Sequence, residues 1–496
     1  MPMPMLSLCK PQHVPPRLIA PILLSLILLS GFVYYQTLNR PTSLHLVPYT
    51  PPVHTVALGH PTFEDVREYE RALPQHRPQS RPRYVFFPRE AWGTGWNNVF
   101  QEQLLNTHLA YLANRGYVFV DYIARDHPPF PDTLPNGTRH MLHIPMNALT
   151  SGPTGGGSWG DGVDAAVHPR PISQRWWDVA CPAEKVVEVH MAETMRELNI
   201  TDESTGEERL VRWAEKLRGM EEECVSVIGG TPFDYMFIGS DKVVSIWSSY
   251  GSSPTLTQYA WSALITRALS RNFALFSPGP SPPPSLSPTL SRITTTPGAG
   301  SKSAPYPLTA FFPLRASEPP IPGLLALHLR RGDYADHCKN LAGWGSDYNT
   351  WNKMGNPEFR ATGRYPSLPD HLTVRENETR YDAAYAHCWP SPDAIVERVR
   401  AVREGRNLRT VYMATNGEPE WVGAIAARLR ADGWDQVASS LDMELAPDEF
   451  AVSQAVDMGV LVAAEVFIGN GFSSVSSNVV QLRLAGGRGP DTSRFW

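Results

Sequence analysis

The sequence predicts an α/β protein of two Rossmann-like domains facing each other over a cleft, behind an N-terminal membrane anchor. Three observations predict it. Short apolar runs alternate with helical stretches in both halves of the 496-residue chain, the signature of parallel sheets with crossover helices. A Ser/Thr/Pro tract at 277–305 separates the halves. Leu18 to Tyr35 is apolar and uncharged.

The length allows two or three domains of ordinary size, and 42% hydrophobic residues with 14 Trp fit a packed protein. Net charge is −5, with no basic stretch interleaved with aromatics, so nucleic acid is excluded as a partner. The apolar run LIAPILLSLILLSGFVYY is long enough for a short membrane span. Lys10 and Arg17 precede it and the first acidic residue is Glu64, which places residues 1–17 in the cytoplasm. A cleaved signal peptide shares the basic flank, but its apolar stretch would be shorter and no small-x-small site follows Tyr35. The rest of the chain is then expected in the lumen of the secretory pathway. Sequons at Asn136, Asn199 and Asn377 agree, each weakly. Four cysteines follow the span, Cys181, Cys224, Cys338 and Cys388, an even number that suits two disulfides. We expect Cys181 to pair with Cys224 and Cys338 with Cys388, each local to one half.

Residues 36–82 read as a Pro-rich stem. The first domain spans 83–276. Tyr84 to Phe87 is a strand, residues 99–115 a helix, and Tyr117 to Tyr122 the next strand. Residues 151–162 read as a flexible Gly-rich loop, Glu207 to Gly219 as a helix, Phe237–Ile238 and Val243 to Trp247 as short strands, and Tyr259 to Phe276 as a helix. The second domain spans 306–496. Leu324 to Leu329 is a buried strand, Pro392 to Glu404 a helix, Thr410 to Thr415 a strand and Trp421 to Asp432 a helix. Phe450 to Ala464 is a helix, Glu465 to Gly469 a strand and Ser474 to Leu484 a helix.

Open parallel sheets bind ligands at the carboxyl ends of their strands. Three such ends in the second half are polar: His328/Arg330/Arg331/Asp333, Thr415/Asn416, and the turn Gly469-Asn470-Gly471-Phe472-Ser473-Ser474. Two guanidinium groups grip a diphosphate well, and hydroxyls with backbone N–H groups at a helix N-terminus bind anions. A surface Arg pair and a plain Ser cap are the plainer explanations for each alone; together they point to a nucleotide diphosphate site. In the first half, Trp92-Gly93-Thr94-Gly95-Trp96-Asn97-Asn98 lies between strand and helix, where Gly95 lets backbone approach a ligand and a tight β-α loop is the alternative. No metal-ligand spacing and no acidic pair for a cation occur in a convincing context. Glu90 and Glu102 flank the Trp-Asn-Asn loop and are weighed as general bases, the structural role being favoured.

HLRRGD (328–333), VYMATN (411–416) and AVDMGVLVAAEVFIGNGFSSVSSNVVQLR (455–483) resemble, in order and spacing, the three motifs of GDP-fucose-dependent fucosyltransferases of the protein O-fucosyltransferase and α1,6/α1,2-fucosyltransferase superfamily. GWNN (95–98) is similar to that family's N-terminal loop. The resemblance implies a GT-B-like fold, a type II anchor in the Golgi or ER, and a GDP-sugar donor, with a glycan or glycoprotein as acceptor. It implies no cofactor and no metal. It implies that Arg330 grips the β-phosphate and assists its departure, and that Asp333 orients Arg330 or pairs with Arg331. It implies that Asp457, Ser473 and Ser474 bind guanine, ribose or phosphate, and that Asn97 and Asn98 reach the diphosphate or acceptor. His328, Arg331, Thr415, Asn416, Phe472 and Gly95 complete the expected donor site. Asn416 departs from the Asp common among relatives. The insertion after Asp333 is also a departure, and Tyr348 and Trp351 within it are expected beside the cleft, where an acceptor would stack.

Overall fold

The computed structural model describes residues 61–76, 83–90, 94–124, 142–277 and 317–496. The expected anchor, residues 36–60 and 77–82 of the expected stem, all of the Ser/Thr/Pro tract but Ser277, Trp92, Gly93 and Asn136 lie outside these residues. Residues 61–76, read as stem, instead hold the capped helix Phe63–Arg71, with Val66, Arg67 and Glu70 buried and Arg67 donating to Asp121 at 2.8 Å. Among the described residues no helix is long and apolar enough to cross a membrane.

The first half contributes β1 (Tyr84–Phe86), β2 (Gly116–Phe119), β3 (Tyr122–Ala124), β4 (Leu142–Ile144), β5 (Ile172–Ser173), β6 (Val186–His190) and β7 (Cys224–Ile228). Five of them form a parallel sheet in the order β5-β2-β1-β7-β6, and β3 pairs antiparallel with β4. The second half contributes β8 (Ile321–Leu329), β9 (Thr410–Thr415), β10 (Gln436–Ser439), β11 (Ala464–Gly469) and β12 (Ser493–Phe495), a parallel sheet in the order β10-β9-β8-β11-β12. β8 is its centre, hydrogen-bonded on both sides, which is why every residue from Gly323 to Leu329 is buried. Helices Pro392–Arg403 and Pro419–Ala431 cover one face through Ile395, Val399, Ile425 and Leu429.

The helix Trp96–Leu112 joins the halves. It packs on β2 and on the helix Ser474–Ala485 of the second domain, so it is buried on nearly every side. Its polar residues Asn97, Gln101, Glu102, Gln103, Asn106 and His108 are buried with it. Such residues must find partners inside the protein, and several find them across the domain seam.

Three more expectations are corrected. Phe237–Ile238 and Val243 to Trp247 are helical turns, Tyr235–Gly239, Asp241–Ile246 and Trp247–Tyr250, not strands. Asp234 caps the first by accepting from the Phe237 N–H, and Val243, Val244 and Ile246 bury one side of the second. The loop at 151–162 is packed, with Gly152 to Gly157 buried. A Cβ at Gly157 would lie 2.1 Å from the Ser151 carbonyl oxygen, so glycine serves close packing there. The helix expected over Tyr259 to Phe276 is shorter, Ala263–Arg271, because Trp261 bridges to Thr150 and Ser262 caps.

Both disulfides are formed as expected. Cys181–Cys224 has a Cα–Cα distance of 5.8 Å and Cys338–Cys388 one of 5.7 Å. The second closes the insertion after Asp333, whose helices, Tyr334–Gly343, Thr350–Gly355, Pro357–Thr362 and Arg380–Cys388, the sequence reading did not place.

Candidate functional site

The carboxyl end of β8 delivers its four polar residues to different places. Arg330 is partly exposed; its Nη2 donates to Asp333 Oδ1 at 3.0 Å and its guanidinium lies 5.5 Å from the Tyr334 ring centroid. Asp333 therefore pairs with Arg330, which excludes the alternative pairing with Arg331. Gly332 carries φ +63°, and this left-handed turn brings Asp333 back over Arg330. Arg331 points inward, 5% exposed, between the rings of Trp389 (4.3 Å) and Trp421 (4.5 Å). Its Nη2 donates to the Pro390 carbonyl at 2.5 Å, and its Nε and Nη1 have no hydrogen-bond partner among the described residues. Arg331 thus clasps the insertion to the helix after β9 and does not stand beside Arg330 as a second open grip.

His328 is buried, and burial together with the Arg330 charge pushes its imidazole down to about 3. The ring is neutral, and Ser476 Oγ sits 2.9 Å from Nδ1. That oxygen also accepts the Asn470 N–H at 2.9 Å, so its own proton is directed at Nδ1, a tautomer inferred from the network.

The β9 end is a brace. Thr415 Oγ1 donates to the Leu329 carbonyl at 2.6 Å and accepts the Gly417 N–H at 3.0 Å. Asn416 Oδ1 accepts the Arg331 N–H at 2.8 Å. Both side chains shape the turn carrying Arg330. At the β11 end, Asn470 Nδ2 donates to the Cys388 carbonyl at 2.7 Å and its Oδ1 accepts the Phe472 N–H at 3.0 Å. Ser473 caps the helix Ser474–Ala485 by accepting the Val475 N–H at 3.2 Å. Ser474, half-buried, opens that helix, whose N-terminal dipole end favours an anion. Phe472 is buried against Tyr348, ring centroids 5.3 Å apart. Asp457 accepts from the Tyr412 hydroxyl at 2.6 Å and from Ser440 at 2.9 and 3.0 Å. Burial pushes its carboxyl up to about 7 against those hydrogen bonds.

In the first domain, Gly95 is exposed and precedes the helix Trp96–Leu112. Asn97 is buried at the seam: its Nδ2 donates to Gln454 Oε1 at 2.8 Å, and Asn478 Nδ2 donates to its Oδ1 at 2.8 Å. This corrects the expectation that Asn97 reaches a ligand; its amide ties the domains together. Gln481 extends the lattice, donating to Asn478 at 2.6 Å and accepting from Tyr250 at 3.0 Å. Asn98, one residue on, is half-buried at the helix N-terminus. Glu90 accepts from both Tyr117 and Asn106 inside the core, and Glu102 accepts from Thr231. Both are internal, as favoured.

The expectation for Tyr348 and Trp351 is overturned. They are 2% and 1% exposed, Tyr348 against Phe472 and Phe495, Trp351 against Trp247 and Tyr250. The exposed aromatics of the insertion are Trp344, the more exposed, and Tyr381. Of the residues the sequence reading missed, Ser476, Tyr412 and Tyr334 lie within or beside the motifs, where a hydroxyl in an apolar run was the available signal, and Ser440 lies outside them.

Residues 318–485 match the sequence family described as GDP-fucose protein O-fucosyltransferase. This domain belongs to the GDP-fucose-dependent fucosyltransferase superfamily. The match bears out the resemblance carried by the three motifs, and with it the expectation of a GDP-fucose-dependent transferase. Crystal structures of POFUT1 in complex with GDP and with GDP-fucose are similar to this chain at 15% identity, covering 84% of this chain and 98% of that chain, each with a TM-score of 0.48. The apo form of POFUT1 is similar at 14% identity, covering 85% and 99%, with a TM-score of 0.47. That distance carries no residue role across. No curated protein sequence gives a significant match.

Proposed function

We propose that the chain transfers fucose from GDP-fucose to a hydroxyl of a glycan or glycoprotein, on the lumenal side of a Golgi or ER membrane. The observation that carries the reading is Arg330: a partly exposed guanidinium at the end of a buried strand, steered by Asp333, with a helix N-terminus at the end of the adjacent strand β11. The anomeric C–O bond to the β-phosphate breaks as the acceptor oxygen bonds to that carbon, the acceptor's hydroxyl proton passes to solvent, and negative charge grows on the departing diphosphate. A fixed guanidinium and aligned N–H groups stabilise that charge, the role a divalent cation plays elsewhere. Asp457, kept near neutrality with Tyr412 and Ser440, offers a hydrogen-bonding edge for the nucleoside. Residues 83–276 serve as the acceptor domain and 306–496 as the donor domain. Leu18 to Tyr35, with its basic flank, supports the anchor, and the two disulfides support an oxidising lumen. Thermal unfolding with GDP, UDP and CMP is the test: GDP raises Tm and the others do not. A shift with UDP alone replaces the donor, and no shift with any overturns the reading.

A further inference from the structure

The helix Tyr334–Gly343 begins directly behind Arg330 and Asp333. Helical backbone extends from Asp333, at its N-cap, to Trp344, at its C-cap. Asp333, His337, Asn340 and Trp344 fall at i, i+4, i+7 and i+11, one face of that helix. Asp333, Asn340 and Trp344 are exposed and His337 is partly so. Trp344 is 71% exposed, the largest aromatic surface the insertion shows to solvent. The face opposite is fastened: Cys338 is fully buried and bonded to Cys388. The rings form a ladder outward from the reaction centre, Arg330 over Tyr334, Tyr334 to His337 at 5.0 Å, His337 to Trp344 at 6.5 Å. At 1.5 Å per residue the stripe runs about 16.5 Å from Asp333 to Trp344.

We propose that this stripe is the acceptor subsite and that it takes the sugar residues of a glycan whose reacting hydroxyl lies at the Arg330 end. The inference rests on the reading of Arg330 as the donor-side cation. Three properties favour a saccharide over a polypeptide. The stripe alternates a carboxylate, an imidazole and an amide, partners for ring hydroxyls, with one flat indole, on which the C–H face of a pyranose stacks. Burial and the Arg330 charge hold the His337 imidazole below its ordinary value, so the ring is neutral and offers one donor and one acceptor. Among residues 334–388 there is no strand whose edge an extended peptide would join, and the stripe has no aliphatic groove for an amphipathic helix.

The test uses the full chain, labelled and applied with GDP to printed arrays of defined oligosaccharides and of peptides, beside the variant Trp344→Ser. Trp344 is exposed, so its replacement leaves the fold and the GDP-induced rise in Tm unchanged. The expected result is oligosaccharide binding by the wild type, weakened at least tenfold in Trp344→Ser. Wild-type binding of peptides alone, of nothing, or of oligosaccharides equally well after the substitution overturns the subsite. A chain that responds to GDP but not to glycans sinks the stripe alone; a chain that ignores GDP sinks the donor reading beneath it.

Discussion

Replacing Glu90 with Gln should make stability less sensitive to pH while leaving fucosyl transfer intact. The side chain is 6% exposed. The Tyr117 hydroxyl lies 2.7 Å from each carboxyl oxygen and Asn106 Nδ2 donates at 3.0 Å. No cation pairs with it among the described residues, so burial prevails over those hydrogen bonds and pushes its pKa from 4.5 up to about 7. The folded state then keeps a proton that the unfolded chain has released. Stability is full below pH 4.5 and falls as pH rises to about 7, the reverse of a salt-bridged carboxylate. That interval, at about 1.4 kcal/mol per pH unit, amounts to roughly 3 kcal/mol as an upper figure. In Glu90→Gln the amide oxygen still accepts from Tyr117 and Asn106. Gln103 and Asn106 have side-chain oxygens without a hydrogen-bond partner among the described residues, so a rotation of either amide would give the new NH₂ an acceptor. Guanidinium unfolding at pH 5 and pH 7.5 measures the effect, read as variant minus wild type because Asp457, also raised to about 7, adds a slope of the same sign to both. The variant should gain on the wild type by about 2–3 kcal/mol between the two pH values. An equal difference at both would refute the buried-proton account, and a hundredfold loss of transfer by a folded variant would make Glu90 a base.

Arg330→Ala should lower kcat about 10²–10³-fold, near 3–4 kcal/mol, with the Tm little changed; more than half the wild-type rate at saturating GDP-fucose would count against its role. Arg331→Lys should lose the planar fit between Trp389 and Trp421 and cost about 2 kcal/mol in denaturant unfolding, whereas an Arg331 that acted only on phosphate would leave stability alone. Asn97→Ala should remove the side-chain acceptor of the fully buried Asn478 amide, which keeps the Asn97 carbonyl, and the donor to Gln454, and destabilise by about 1–2 kcal/mol, seen as a lower Tm; an unchanged Tm with weaker GDP binding would return Asn97 to the ligand. Cys338→Ser with Cys388→Ser opens a loop of sequence separation 50 and should cost about 4 kcal/mol, less where the insertion's helices hold it closed.

The chain's local chemistry determined the three central strands of the second sheet, β9, β8 and β11, with their strand-end motifs, and both disulfide pairings; the edge strands β10 and β12 were not legible in it. β8 declares itself because a strand buried on both faces must be apolar throughout, and the polar residues that follow it stand out at once. The cysteine pairs were legible because each closes a loop within one domain. Tertiary structure decided the rest. Asn97 and Asn478 are 381 residues apart, and no local pattern tells a buried seam amide from one that faces a ligand. Arg330 and Arg331 are neighbours with the same side chain just past the end of β8, and only the packed Trp389 and Trp421 show which arginine is enclosed. Tyr348, Trp351 and Trp344 were alike as aromatic residues in one insertion. Phe472 and Phe495 cover Tyr348, Trp247 and Tyr250 cover Trp351, and Trp344 is left in solvent, because burial depends on what the completed fold sets against each ring.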